Sequence, residues 1–388
     1  MTTARPGANG AASPGGLDWI TVRGFRSIRH LEKWKLGRVN VLIGANGSGK
    51  SNFLDVFNLL AAIRQGRLRT FVLRAGGADR LLHFGSKTTD RIVLRLSFLE
   101  ERNQYRIVLG HVVGGALAPT DETALFWNKE KHNQPYAKRL EGSRLEAGIS
   151  NFPGADASFS VPGYVAERLA GLRKYHFHDT GDKSPLRGLA DTHDNRFLRA
   201  DGSNLPSFLH RLRITHPTRY DLIRRTVRLV APFFRDFCLA PMAVNEEKIR
   251  LEWQHSVSDA TFAAASLSDG TLRFMALAAV LLQPEKMRPA VILLDEPEIG
   301  LHPTAIGLLA ALVRQASVDS QVILATQSPT LLDYFDPEDV MIVERKNGET
   351  VFRRKTSKEL SVWLEDYSLG QLWENNEMGG RLVSERQR

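Results

Sequence analysis

A single cysteine, Cys238, stands among 388 residues, so no disulfide can form within the chain, and its apolar context suits a packed thiol in a reducing cytosol. No apolar stretch approaches the roughly 20 residues that a membrane-spanning helix needs. The longest such stretches, of which 275–282 is part of one, run to about eight or nine residues, so neither a membrane helix nor a membrane partner is expected. The first 16 residues are rich in Gly, Ala, Pro and Thr and lack the apolar centre of a signal peptide; they read as a disordered tail, and the chain as cytoplasmic. No heptad pattern persists over several turns, which excludes a long coiled-coil arm, and there is no internal repeat. No nucleophile–base pair or dinuclear carboxylate cluster stands out, so no second enzymatic domain is visible.

What is present begins with enough apolar residues, 43%, to bury a real core. The formal charge of +9 permits long-range attraction to phosphate polymers, although solubility alone accounts for a modest excess. Stretches 19–28 and 38–43 read as strands from their β-branched and aromatic content and bounding glycines. Stretches 290–294 and 321–326 are short apolar runs closed by polar residues, the pattern of strands buried on both faces of a parallel sheet. Apolar spacing is helical over 51–62 and 271–283. Strands and helices therefore alternate at both ends of an α/β chain. The middle, 120–264, is punctuated by Gly and Pro and carries a basic helical stretch over 205–234, interrupted at Pro217; it reads as an inserted lobe between an N-lobe (17–119) and a C-lobe (265–388).

Three motifs carry chemistry. Gly44-Ala45-Asn46-Gly47-Ser48-Gly49-Lys50-Ser51 satisfies G-x-x-x-x-G-K-[ST] between a strand and a helix. Glycines let the backbone curl so that its N–H groups face phosphates, which the following helix start also attracts. Lys50 would neutralise β and γ phosphates, and the Ser51 hydroxyl suits the hard oxygen preference of Mg²⁺. In Val291-Ile292-Leu293-Leu294-Asp295-Glu296, four apolar residues end in two acids, placing both at a strand's carboxyl end. Asp295 would hold Mg²⁺ through water and Glu296 would polarise the attacking water; a mere helix cap is the plain alternative. Third, Ser266-Leu267-Ser268-Asp269-Gly270-Thr271 opens a helix about 25 residues before the acids. Alone it is an N-cap; its order relative to the other two motifs makes it more informative.

GANGSGKSN, SLSDGTLRF, LLDEPEIGLHP and ATQSP, in that order, resemble the nucleotide-binding heads of the ABC ATPase clade, with the nearest look that of the RecF/SMC-like group, including OLD-type stand-alone ATPases. ITVRGFRSI at 20–28 is similar to that group's first strand, and WLEDYSLGQLWENNEMGG at 363–380 to the tail of its compact single-head members. The resemblance implies an ABC-type P-loop head with a mainly helical inserted lobe. It implies ATP and Mg²⁺ as cofactors, with Arg26, Asn46, Gly47, Gly49, Lys50, Ser51, Asn52, Ser268 and Gly270 binding nucleotide, Ser51 and Asp295 serving the metal, and Glu296 and Gln327 as catalytic residues. It further implies an ATP-dependent homodimer or higher oligomer, closed when Ser268 of one head meets the γ-phosphate held by the other. Asp269 stands where transporter heads carry glycine. Gln327 stands where many carry histidine, and a neutral amide there can bond the γ-phosphate but carries no charge, so slow turnover is expected. The Q-loop glutamine has no clear place.

Two further constellations are weaker. His176 and His178 alternate with apolar residues as in a half-buried strand, a setting that fits packing better than a metal pair. Arg211, Arg213, Arg219, Arg224, Arg225 and Arg228 could track a nucleic-acid backbone or form a solvated helix face. The expected role is a DNA-associated ATPase in genome maintenance or defence against foreign DNA. The alternatives are a scaffold whose ATP state gates a separately encoded nuclease or toxin and, last, a transporter subunit.

Overall fold

The computed structural model describes residues 15–152, 160–181 and 183–380; the tail read at 1–16 lies outside them up to residue 14. Along the chain, β1 (Leu17–Phe25), β2 (Ile28–Lys35) and β3 (Val39–Ile43) lead into α1 (Lys50–Arg64), α2 (Leu68–Arg74) and α3 (Ala78–Leu81). Then come β4 (Arg91–Phe98), β5 (Asn103–Val112), β6 (Ala116–Phe126), β7 (Tyr136–Arg139), α4 (Val161–Ala170) and β8 (Leu172–Tyr175). The middle holds β9 (Leu189–Asp191), α5 (Leu205–Thr215), α6 (Pro217–Val230), β10 (Phe234–Cys238), β11 (Lys248–Arg250), β12 (Glu252–His255) and β13 (Thr261–Ala263). The last third runs α7 (Asp269–Leu282), β14 (Val291–Asp295), α8 (Pro303–Ala316), β15 (Gln321–Thr326), α9 (Pro329–Leu332), β16 (Val340–Lys346), β17 (Glu349–Arg353) and α10 (Leu369–Glu374).

The chain forms two compact units. The first comprises Met1–Lys174, Pro289–Leu293 and Ser317–Arg388. It contains an antiparallel sheet in the order β2-β1-β4-β5-β6-β7 and a second sheet in the order β17-β16-β3-β15-β14-β8. In the second, β3 pairs in parallel with both β15 and β16. The apolar runs of β3 and β15 are buried at every position, which is why they read as continuous hydrophobic segments without alternation. Helix α1 is buried at Phe53, Leu54, Val56, Phe57, Leu59, Leu60 and Ile63, and shares one core with residues of both sheets, such as Ile20, Leu94, Leu42 and Met341. Burial this broad explains its weak amphipathic pattern. It also fixes the start of α1, and with it the loop that precedes the helix.

The second unit comprises Tyr175–Arg288 and Leu294–Ala316. It holds the sheet β10-β12-β13, the pair β11-β9, and helices α5 to α8. Pro217 divides the basic stretch as expected, because its ring takes the first position of α6, where no intrahelical N–H bond is lost. Helix α7 is buried at eleven of its positions from Leu272 to Leu282, an apolar all-round helix of the kind that sits inside a unit. Short strands share the stretch 120–264 with its helices.

Candidate functional site

In the first unit, residues 44–49 join β3 to α1. Gly47 and Gly49 take left-handed φ of 76° and 113°. At Gly49 a Cβ would stand 2.0 Å from Thr350 Oγ1, so only glycine fits. No side chain caps α1 at this end, and its first-turn N–H groups have no intrahelical acceptor, the arrangement that binds anions. The loop's carbonyls are held elsewhere. Lys50 Nζ donates to Gly44 O (2.6 Å) and Ala45 O (3.1 Å), Arg345 Nη1 to Gly47 O (3.3 Å), and Thr350 Oγ1 to Ser48 O (2.9 Å). Holding the carbonyls back is the local condition for a cradle of amides.

A relay of hydroxyls sets this geometry. Asn52 Nδ2 donates to Ser27 Oγ (2.6 Å), which lies 2.6 Å from Thr350 Oγ1. Since the Thr350 proton goes to Ser48 O, Ser27 donates to Thr350. Arg26, with a left-handed φ of 48°, donates through Nη1 to Asn52 Oδ1 (3.2 Å) and pairs with Asp55 (2.5 Å). Arg26, Ser27, Asn52, Phe84, Arg345 and Gly348 line a cavity of about 540 Å³, within the range of small-molecule sites. Ser48 Oγ is buried without a partner among the described residues, and a Cβ at Gly47 would meet nothing within 4 Å. A buried hydroxyl without a partner, in a loop that faces open space at Gly47 and ends at Lys50, fits a polyphosphate. Asn46 and Ser51 are exposed, while Asn52 is engaged at both ends of its amide.

Residue pairing then places Gln327. Thr326 of β15 lies opposite Ile43 of β3 in parallel register, so Gln327 leaves the sheet at the edge where Gly44 opens the loop. Ser328 caps α9 directly after it.

The second unit carries the other candidates. Asp295 is the last residue of β14, and Glu296 has a left-handed φ of 41°, an unusual backbone for a residue that precedes proline. Both line a recess of about 10 Å³, roughly the space of one water, together with His178 and Arg273. Burial pushes the His178 imidazole below its ordinary value, against the opposing pull of Asp295. Arg273 of α7 donates to Phe177 O (2.9 Å), His178 O (3.2 Å) and Ile299 O. Ser268 is the N-cap of α7, its Oγ accepting from Thr271 N at 3.2 Å. Gly270 has its own reason: a Cβ there would stand 2.1 Å from Gly300 O.

The histidine pair lies beyond β8, which ends at Tyr175; both residues reach solvent while Tyr175 and Phe177 are buried, and the His178 imidazole is partly desolvated. Among the described residues no three His, Cys, Asp or Glu side chains cluster as metal ligands would. Much of the basic run is engaged internally. Arg224 and Arg225 pair with Asp221 (2.5 and 2.7 Å), and Arg211 and Arg213 donate to backbone carbonyls. No helix of the described residues is long and apolar enough to cross a membrane.

Thr350, Ser27, Arg345 and Arg273 are contributions that motif reading missed. Ser27 and Arg273 lie inside the quoted segments ITVRGFRSI and SLSDGTLRF, which gave them no role of their own; Thr350 and Arg345 had no signal. Thr350→Val keeps the side-chain shape but strips the proton from Ser48 O, leaving a buried carbonyl unpaired. It is expected to weaken ATP binding about tenfold, with Thr350→Ser close to the parent. Titration calorimetry on both variants checks this; equal affinities for Val and Ser would remove the relay from the site.

A family model described as "AAA domain, putative AbiEii toxin, Type IV TA system" matches residues 39–333. Among curated proteins, no sequence matches the chain. Two solved structures share the fold. An Smc head bound to the C-winged helix domain of ScpA has TM-score 0.59 at 16% identity, covering 89% of this chain and 99% of its own. A Pyrococcus furiosus Smc head with an extended coiled coil, bound to the C-terminal domain of ScpA, has TM-score 0.54 at 14% identity, covering 90% and 98%. The strand-loop-helix cradle, the acidic strand end and the Ser268-capped start of α7 thus stand on a known scaffold: the chain belongs to this AAA-domain family and has the fold of an ABC-type P-loop ATPase head of the SMC/RecF-like kind.

Proposed function

We propose that the chain is a DNA-associated ATPase that binds and hydrolyses ATP with Mg²⁺ and acts through ATP-driven closure of two heads, in genome maintenance or defence against foreign DNA. The carrying observation is the loop 44–49, whose carbonyls are held by Lys50, Arg345 and Thr350 while its helix start has no side-chain cap. Lys50 and the loop amides would hold the phosphates; Ser51 would offer Mg²⁺ a hydroxyl oxygen, and Asp295 carries a carboxylate of the kind that such a metal takes. A bound Mg²⁺ would neutralise charge on the β and γ oxygens. Glu296 orients the water, and Gln327 donates to the terminal phosphate as a neutral amide. Ser268 and Gly270 act in trans, on the nucleotide of a second head.

A second reading is favoured by the family description, which names a toxin of a toxin–antitoxin system. In it the head gates a separately encoded effector and does not touch DNA. Both Smc heads named above are described with a ScpA domain bound, so a protein partner on such a head has precedent. The basic helix face supports DNA binding only weakly, since Arg224 and Arg225 share Asp221. Steady-state turnover measured alone, with duplex or single-stranded DNA, and with candidate partner proteins separates the two. Stimulation of several-fold by DNA is expected; stimulation by a protein alone, with no DNA effect at low salt, transfers the assignment to the effector-gating scaffold.

A further inference from the structure

We propose that Arg187, in the inserted segment, is the positioning residue of the segment 264–269 that opens α7, holding Ser268 in the orientation that a second head must meet. The proposal rests on the head-closure reading above and assigns the inserted segment a part in it.

Arg187 ends a 3-10 turn, Pro185–Arg187, that is capped by Ser184 and anchored by the buried Leu186. Its side chain is only 9% exposed. The guanidinium donates to four acceptors: Thr180 O (2.7 Å), Ala264 O, Leu267 O (3.2 Å) and Asp269 Oδ1 (2.9 Å). Thr180 fixes the fork to its own segment. The other three acceptors lie at 264, 267 and 269, so the fork grips the chain on both sides of Ser268. Leu267 is buried while Ser268 is exposed, so the grip fixes the backbone and leaves the serine presented.

The grip is reciprocated. Arg273, one turn into α7, donates back to the carbonyls of Phe177 and His178 in the same inserted segment. Trp253 Nε1 adds a bond to Ser266 Oγ at 3.1 Å. The start of α7 is therefore tied by Arg187, Trp253 and its own Arg273 to other residues of one compact unit. This also accounts for Asp269, the departure from the transporter pattern. A carboxylate there accepts from Arg187 and sits at a helix start, where negative charge is favoured.

A planar fork is required. The ion pair contributes little by itself, because Asp269 is 62% exposed. The weight falls on backbone carbonyls, which need several donors at fixed angles, and lysine cannot supply them. Arg187→Lys should therefore behave like Arg187→Gln, an outcome that a purely electrostatic role would not give.

The test uses the full chain carrying Glu296→Gln, so that ATP is retained, with light scattering across a concentration series in Mg-ATP. Nucleotide affinity is measured separately at dilutions where single heads prevail. Arg187→Gln and Arg187→Lys are each expected to weaken ATP-dependent dimerisation about tenfold while ATP affinity of the single head stays within about twofold. Asp269→Ala removes one contact of the four; it keeps the proposal testable if the Arg187 variants fail to fold, and should cost about threefold in dimerisation alone. Arg187→Lys closing as well as the parent, or single-head affinity falling in step with dimerisation for any variant, overturns the assignment. Dimerisation unchanged by Asp269→Ala, which removes the acceptor itself, does so too. A Glu296→Gln chain with Arg187 intact that never changes assembly with ATP removes the closure reading itself, and the role of Arg187 with it. A parent that closes beside an equally closing Arg187→Lys removes only the latter.

Discussion

A Lys50→Ala chain is expected to bind ATP at least about a hundredfold more weakly than the parent, through loss of charge-assisted bonds of about 1.5–3 kcal/mol each. Lys50 is buried, and its ammonium sits against the loop at Gly44 O and Ala45 O. It is thus already at the mouth of the cradle, with little side-chain freedom left to lose on meeting phosphate. The amides that remain are neutral dipoles and leave the polyphosphate charge poorly compensated. The same substitution frees two loop carbonyls, so calorimetry should be paired with thermal unfolding of the nucleotide-free chain, and Lys50→Met serves as a bulkier control. Near-parent affinity in a folded variant would refute the P-loop assignment.

For Glu296→Gln the expected result is retained ATP binding with turnover reduced about 10²–10³-fold. The amide keeps the shape and much of the hydrogen bonding but lacks the negative charge that favours attack by water. Glu296 adopts a left-handed backbone that glutamine can also adopt, so the change alters charge with little effect on conformation. If ATP joins two heads, the variant should accumulate as an ATP-locked dimer, and adding Ser268→Arg should dissolve it. Light scattering with and without ATP and Mg²⁺ reads both effects. Turnover at the parent rate would sink the catalytic assignment, and an assembly indifferent to ATP would sink the closure mechanism.

Where the sequence was legible, local pattern and tertiary demand coincided. The stretch 321–326 is β15 to the residue, because a strand buried on both faces writes its limits as an apolar run. Stretch 51–62 lies inside α1, and 271–283 overlaps α7, whose true start follows directly on the Ser268 cap. By contrast, 19–28 reads as one strand but closes β1 at Phe25 and opens β2 at Ile28. The reversal is made by Arg26 in a left-handed conformation, with no glycine at that position to announce it. Strands β9, β11 and β13 have three residues each, too short for any period to show. The site divides the same way. Its motifs are contiguous and carry their own chemistry, whereas Thr350 and Arg187 act on backbone carbonyls far away in sequence. A carbonyl looks the same at every residue type, so such partners leave no mark on the sequence at either end.

The pairing of β3 has a consequence for how the chain is made. Both of its neighbours, β15 and β16, come from near the end of the sequence, at 321–326 and 340–346. During translation the P-loop strand leaves the ribosome with both edges unpaired, and nearly 280 further residues must follow before β15 exists. At about 5–20 residues per second that interval is roughly 15–60 s. Throughout it, the apolar segment Val39–Ile43 has no sheet to join. The nucleotide cradle is therefore among the last parts of the nascent chain to take shape, and β3 is the segment most in need of a holdase while it waits.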